Sequence, residues 1–365
     1  MSESETKFIP GLELSRRFFE EAIAPILDRE FPDLRYSAAR LGQGSEVLGY
    51  DTPRSTDHDW GPRLQLFLAQ DDYLALKGPI DETLRVGLPK QIHGYSTHFG
   101  PADDESSRLL ADTDGPVDHR VEIWTIPRFF DNYMAYDPRE EPSVWEWLTW
   151  PQQHLLGVTA GAVFRDDLDE LDKVRQKLRY FPRDVWLYLL AAQWARIGQE
   201  EHFVGRTGEV GDEIGSGLLA ARLVQDVMQL CFLMERTYFP YPKWFGSAFA
   251  KLDCAKSLMP ILQQVLNAQN WLERENHLNQ AYEIVAGRHN ALGITEPLQT
   301  HVRYFHDRPF QIIEAERFVK AIKAEINDAQ VAGIQTDVGS IDQFSHSTDL
   351  RANPRLHKKL QSLYK

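Results

Sequence analysis

Gly44-Ser45-Glu46-Val47-Leu48-Gly49-Tyr50-Asp51-Thr52-Pro53-Arg54-Ser55-Thr56-Asp57-His58-Asp59-Trp60 is the stretch on which the fold of this chain turns. Just before it, Arg35 to Leu41 has the composition of a short strand. Gly42-Gln43-Gly44-Ser45 then forms a tight turn that is predicted to open a brief helical stretch, Glu46 to Leu48. Backbone N–H groups at such a helix start, with the Ser45 hydroxyl, make a neutral cradle for phosphate oxygens, and Gly44 lets the backbone come close. If Asp57 to Asp59 is extended, the two-residue period of a strand aims both carboxylates at one face and His58 at the other. Two such hard oxygen ligands suit magnesium, which completes an octahedral shell with water and substrate phosphates. A third acid, Glu122, sits in His119-Arg120-Val121-Glu122-Ile123-Trp124-Thr125 on a predicted strand, Val121 to Ile126, where it points away from its apolar neighbours Val121 and Ile123. Taken singly, Gly-Ser and Asp-x-Asp arise by chance, and an Asp-rich turn is more often a solvated loop or a helix cap. The informative feature is the order: strand, Gly-Ser turn, Asp-x-Asp, and a later strand bearing Glu.

In that order the chain resembles the nucleotidyltransferase superfamily of the DNA polymerase β and kanamycin nucleotidyltransferase type. The stretches Leu48-Gly49-Tyr50-Asp51-Thr52 and Asp57-His58-Asp59-Trp60-Gly61-Pro62-Arg63 are most similar to a branch known as domain of unknown function 4037. The resemblance implies that Gly44 and Ser45 hold a nucleoside triphosphate, that Asp57 and Asp59 bind magnesium or manganese, and that Glu122 is the third carboxylate, either ligand or base. It further implies transfer of a nucleoside monophosphate, most simply AMP from ATP, to a hydroxyl acceptor with release of pyrophosphate. Arg54 and Arg63 stand near enough in sequence to neutralise triphosphate charge, or else form ordinary surface ion pairs. Two departures matter. The residue between the aspartates, apolar in the family, is His58. Pro62 cannot donate to a sheet ladder, so the strand there must be at an edge, bulged or restarted.

The pattern is α+β: a nucleotidyltransferase-like mixed sheet with flanking helices, then a mainly helical domain. Leu12 to Phe31 and Asp71 to Val86 have helical periodicity, Arg63 to Leu68 and Gly94 to Phe99 that of strands. Helices are expected over Asp166–Tyr180, Pro182–Ile197, Ser216–Tyr238, Ala255–Asn276, Leu278–Asn290 and Ala315–Ala329. This divides the chain into a first domain, 1–140, a helical domain, 141–330, and a tail of uncertain order, 331–365; the resemblance implies that the helical domain binds the acceptor. In the helical half Arg206 and Asp212 are candidates for the acceptor side, against the bland alternative of a helix end with a solvated loop. Lys243 among Tyr238-Phe239-Pro240-Tyr241-Pro242 is a candidate for phosphate, or packs an aromatic corner and snorkels outward. The stripe Leu218, Leu223, Val227 and Leu230 is expected to be core. Arg196 to His202 and Arg351 to His357 both have the spacing of a helical ribonuclease motif, a rival function. A second rival is a nucleotide-binding regulatory protein without catalysis, against which the presence of all three acids speaks.

Composition narrows the partners. Acidic side chains outnumber basic ones 54 to 40 in 365 residues, a net charge of −14 that argues against a broad grip on nucleic acid. The acceptor is therefore expected to be a small molecule or protein before a nucleic acid. The apolar run Val185 to Ala195 is interrupted by Gln193 and falls short of the ~20 residues that span a bilayer, so no membrane partner is expected. Cys231 and Cys254 make neither a disulfide framework nor a zinc pattern, and with an N-terminus unlike a secretory signal they suggest the cytoplasm. Metalloprotease, P-loop and Rossmann motifs are lacking.

Overall fold

Leu14, Phe18, Ala22 and Ile26 recur every four residues after Pro10-Gly11, and there the chain becomes helical: α1 (Gly11–Phe18) passes through a π-helical turn (Phe19–Ile23) into α2 (Ala24–Glu30). The wide turn lets the adjacent Phe18 and Phe19 both be buried. In the computed structural model, which describes residues 8–103 and 107–364, the chain continues through β1 (Tyr36–Arg40), β2 (Arg63–Leu68), α3 (Gln70–Gly87) and a small hairpin of β3 (Gln91–Ile92) and β4 (Tyr95–Ser96). Then follow β5 (Arg120–Trp124), α4 (Ile126–Met134), α5 (Val144–Thr149), α6 (Gln152–Thr159), β6 (Ala162–Asp166) and α7 (Leu171–Lys177). Two compact units result, one of Met1–Glu141 with His154–Arg179, the other of Pro142–Gln153 with Tyr180–Lys365.

The first unit is organised by a four-stranded sheet in the order β5-β2-β1-β6. β1 runs antiparallel to β2 and β6, whereas β2 runs parallel to β5, so the sheet is mixed. Leu64, Leu66, Val121, Ile123 and Ala38 share a core with Phe18, Ile23, Leu27, Ile80 and Leu84 of the helices. Alternation sends Arg63, Gln65 and Phe67 of β2 and Arg120, Glu122 and Trp124 of β5 to the other face. The restart forced by Pro62 is visible, since β2 begins at Arg63. Gly61 is at φ 146°, and a Cβ there would stand 3.0 Å from the Phe99 ring and 2.8 Å from Leu110, too close to both.

The second unit is helical. α8 (Arg183–Glu200) is buried on almost every side from Val185 to Ala195 and is packed by α10 (Glu213–Met234), with α9 (Phe203–Glu209) between them in sequence. α11 (Pro242–Phe249), α12 (Ala255–Asn267) and α13 (Trp271–Ala291) follow, then a hairpin of β7 (Arg303–Tyr304) and β8 (Gln311–Ile312), and α14 (Glu316–Lys323). Short helices α15 (Ala329–Ala332), α16 (Ile341–Phe344), α17 (Thr348–Ala352) and α18 (Pro354–Leu360) close the chain. Among the described residues α10 is the one helix long and apolar enough to cross a membrane by length and composition, and 61% of its apolar window is buried inside the protein.

The α+β class is as expected, while several elements differ. Glu46 to Leu48 is a run of turns, not a helix start. Gly94 to Phe99 supplies only β4 and an isolated bridge from Phe99 to Leu110. The segment 166–180 is the end of β6 plus the shorter α7. Ala255–Asn276 breaks after Asn267 because Asn270 caps a new helix, its side-chain oxygen accepting from Glu273 N at 3.0 Å. Leu218 is 67% exposed, so only Leu223, Val227 and Leu230 of that stripe are core.

Candidate functional site

The turn after β1 is built around a buried acid, Glu46. Glu46 is 2% exposed and its Oε1 accepts from Nε and Nη2 of Arg40 (3.0 and 2.7 Å) and from Nε and Nη2 of Arg63 (2.9 and 2.6 Å). Burial pushes this carboxyl upward, but the two guanidiniums outweigh it and hold Glu46 below its ordinary value, hence ionised. Arg40 also donates to the carbonyls of Leu41 (2.6 Å) and Gln43, so the same network clasps Gly42-Gln43-Gly44. Gly44 is at φ 135°, and a Cβ there would meet the Glu46 carboxyl carbon at 2.7 Å. The space beside Gly44 is thus filled by an anion of the chain itself, and Ser45, half-buried, gives its carbonyl to Tyr50 N (2.9 Å). Arg63, expected beside a triphosphate, is committed to Glu46; Arg54 is exposed.

Asp57, His58 and Asp59 are not extended. Thr52 and Ser55 form a capping box and Pro53 occupies the first turn, so Pro53–Asp57 closes into a 3-10 helix. Asp59 is left-handed, φ 45°. The period-two alignment of the two carboxylates therefore does not hold. Asp57 is exposed and meets the His58 ring (Oδ1 to Nδ1, 3.0 Å), while Asp59 Oδ1 lies 3.3 Å from Nη1 of Arg120. Asp51 steadies the loop, accepting from Gly11 N (2.6 Å) and Trp60 Nε1 (3.0 Å) on one oxygen.

Glu122 is exposed on β5, opposite Gln65 of β2. Its Oε2 accepts from Trp124 Nε1 (3.2 Å) and, over a long 3.4 Å, from Gln65 Nε2. Gln65 is buried, and its Oε1 accepts from Leu41 N at 3.0 Å. One amide thus joins the root of the Gly-Ser turn to Glu122. Phe67 of the same face is covered by Phe129, on which Tyr133 stacks, and His154 packs on Tyr133.

Among the described residues no three His, Cys, Asp or Glu side chains are grouped so as to hold one metal ion. Asp57, Asp59 and Glu122 have the oxygen chemistry that magnesium wants, but as arranged they do not form its site. Asp59 and Glu122 both adjoin Arg120, one by contact and one as its same-face neighbour on β5; Asp57 turns to His58.

The candidates in the second unit have local partners. Arg206 pairs with Glu209 one turn on (2.9 Å), and Asp212 caps α10 by accepting from Gly215 N (2.8 Å). Lys243 is exposed, its ammonium 5.1 Å from the centroid of the Trp244 ring. Arg196 pairs with buried Asp226 (3.0 Å) and His202 stacks on Phe305, while Arg351 pairs with Asp342 and His357 is buried.

Glu46, Arg40, Gln65 and Arg120 carry the polar architecture around the turn and the sheet face, and no motif in the sequence marks them. The available signal was a charge, Arg40, closing the otherwise uncharged strand Tyr36-Ser37-Ala38-Ala39, and the alternation of Arg120 with Glu122.

Residues 147–245 match the family model described as Domain of unknown function (DUF4037), a stretch C-terminal to the motif residues between Gly44 and Glu122. No curated protein matches the chain. Among solved structures, that of a nucleotidyltransferase-like protein from Exiguobacterium sibiricum 255-15 is similar over 75% of this chain and 74% of its own, at 13% identity and a TM-score of 0.30.

Proposed function

We propose that the protein is a nucleotidyltransferase that moves a nucleoside monophosphate, most simply AMP from ATP, onto a hydroxyl acceptor. The observation that carries this is the Gln65 bridge, which accepts from Leu41 at the root of the Gly-Ser turn and donates toward Glu122. In this reading the triphosphate lies against that turn and Glu122 accepts the proton of the attacking hydroxyl. The acceptor oxygen bonds to phosphorus, the bond to the bridging oxygen breaks, and pyrophosphate departs. Arg54, exposed at the start of the 3-10 helix, is better placed than Arg63 to meet the phosphates, because Arg63 is held by Glu46. Magnesium or manganese is the cation this reaction class calls for; to share one, Asp57 would have to leave His58, and Asp59 would have to leave Arg120. Lys243, Arg206 and Asp212 remain candidates for phosphate and acceptor contacts in the second unit. The net charge of −14 favours a small cationic molecule or a protein as acceptor, and the free thiols Cys231 and Cys254 suit a reducing cytoplasm.

A second reading, nucleotide binding without turnover, is favoured by the Glu46 carboxylate that fills the space beside Gly44. Pyrophosphate release from ATP with manganese, over a panel of aminated sugars, hydroxylated peptides and RNA ends, separates the two when run beside calorimetric ATP titration. Turnover that falls about 100-fold or more in Glu122→Gln, with ATP binding kept, is the expected result. ATP binding with no release under any acceptor overturns the proposal in favour of the second reading.

A further inference from the structure

Asp59 and Arg120 are held very differently. The Asp59 backbone is fixed: its left-handed N–H donates to the Arg108 carbonyl (2.9 Å), and Arg108 in turn donates to the carbonyls of Phe99 and Gly100, each at 2.7 Å. Gly61, two residues on, is wedged against Phe99 and Leu110. Arg120 has a looser hold, its guanidinium 5.6 Å from the Phe99 ring centroid and 3.3 Å from Asp59 Oδ1, an oxygen shut off from solvent that accepts no hydrogen bond among the described residues. The group that can move at low cost is therefore the arginine. A contact of this length between partly exposed side chains is worth little, yet it puts a permanently charged group where a divalent cation would have to sit.

We infer that Arg120 is the counter-ion that opposes divalent-cation binding at Asp59, and that this carboxylate becomes available to a cation only when the guanidinium is drawn off. The inference rests on the nucleotidyl-transfer reading, since the substrate of that reaction brings the group best able to take the arginine: phosphate oxygens accept a guanidinium in bidentate fashion and compete well with one long carboxylate contact. Arg120 is in this sense a positioning residue, acting through Asp59, and it makes cation and triphosphate arrive together.

Manganese binding to the full chain, measured by calorimetry and by the loss of the free-ion electron paramagnetic resonance signal, tests this without turnover. Removing the charge in Arg120→Gln should tighten manganese binding about five-fold. Arg120→Lys, which keeps the charge, should stay near the parent, and adding Asp59→Asn to Arg120→Gln should erase the gain. Arg120→Met serves as a second neutral variant, and each protein is checked for folding by circular dichroism. If the parent binds manganese and the neutral variants bind it equally or more weakly, the inference is overturned while the proposed reaction stands. If no variant binds manganese at millimolar concentration, the metal-dependent reading fails together with it.

Discussion

Two arginines sharing one oxygen of Glu46 is an unusual use of a buried acid, and it decides what the turn after β1 can do. The three side chains carry a net positive charge beneath Gly42-Gln43-Gly44, and each guanidinium depends on the one carboxylate. Removing one member of a buried ion network costs more than the network contributes, because the partners remain desolvated and uncompensated. Glu46→Ala should destabilise the first unit by about 3–5 kcal/mol, measured by denaturant unfolding. A loss under about 1 kcal/mol would mean water reaches the guanidiniums. Beyond the lone charge of Arg40 at the end of β1, the network was not legible from sequence: Arg40 and Glu46 are close in the chain, but their convergence with Arg63 depends on where β2 is laid beside β1. The misreading of Asp57 and Asp59 is different in kind. Thr52-Pro53-Arg54-Ser55 holds both a capping box and a proline at the first helical position, local signals of a helical turn that conflict with an extended Asp-x-Asp.

Elements with strong periodicity were legible, and those that depend on a partner were not. α1–α2, α3, α8 and α10 follow from their apolar spacing, as does the exposure of Glu122 between Val121 and Ile123. β6 was missed because it is a strand only by pairing with β1, across a register shift between Ala38 and Ala39. The junction of α8 with α14 is likewise made by tertiary contact. Glu201, at the end of α8, accepts from the backbone N–H groups of Ile313 (2.6 Å), Glu314 (3.2 Å) and Ala315 (3.1 Å), and so ties the segment that leads into α14 to the end of α8. Burial raises its carboxyl to about 7 from an ordinary 4.5, only partly offset by those N–H groups and by Arg317. Between these two pH values the folded protein keeps a proton that the unfolded chain has lost, so this group's contribution is full below about pH 4.5 and declines as pH rises toward 7. Over that window the parent should lose about 3 kcal/mol relative to Glu201→Gln, which cannot titrate. Comparing the two variants removes the opposing effect of His289, which burial holds near 4 and which gains stability as pH rises. Parallel stability curves for the two proteins would contradict the assignment.

At the scale of the whole chain, the two units are interleaved: the second takes Pro142–Gln153 and the first resumes at His154. A reading along the sequence puts one boundary where periodicity changes, near Pro142, and cannot see the return of β6 to the first sheet. It also leaves 331–365 as a tail, since short helices and scattered apolar residues give little period. In the structure that segment is stitched into the second unit by polar side chains. Asp342 is 1% exposed, accepts from Gln152 N (2.6 Å) and pairs with buried Arg351 (2.5 Å). Gln343 donates to Leu189 O (3.0 Å) and to Gln193 Oε1 (2.9 Å), and the Tyr364 hydroxyl donates to Gly339 O (2.7 Å). Burial raises the Asp342 carboxyl against the pull of Arg351, so the pair gains little by itself, and its strength lies in neither charge being left alone. Asp342→Leu should therefore cost about 3–5 kcal/mol by orphaning Arg351, whereas adding Arg351→Met should recover much of that loss. Chemical unfolding followed by tryptophan fluorescence, to which seven of the nine tryptophans contribute from the second unit and only Trp60 and Trp124 from the first, reads the difference. If the double variant is as unstable as Asp342→Leu, the cost lies in the hydrogen bond to Gln152 and not in the charge. If neither variant moves the transition, the C-terminal segment does not share the cooperative unfolding of that unit.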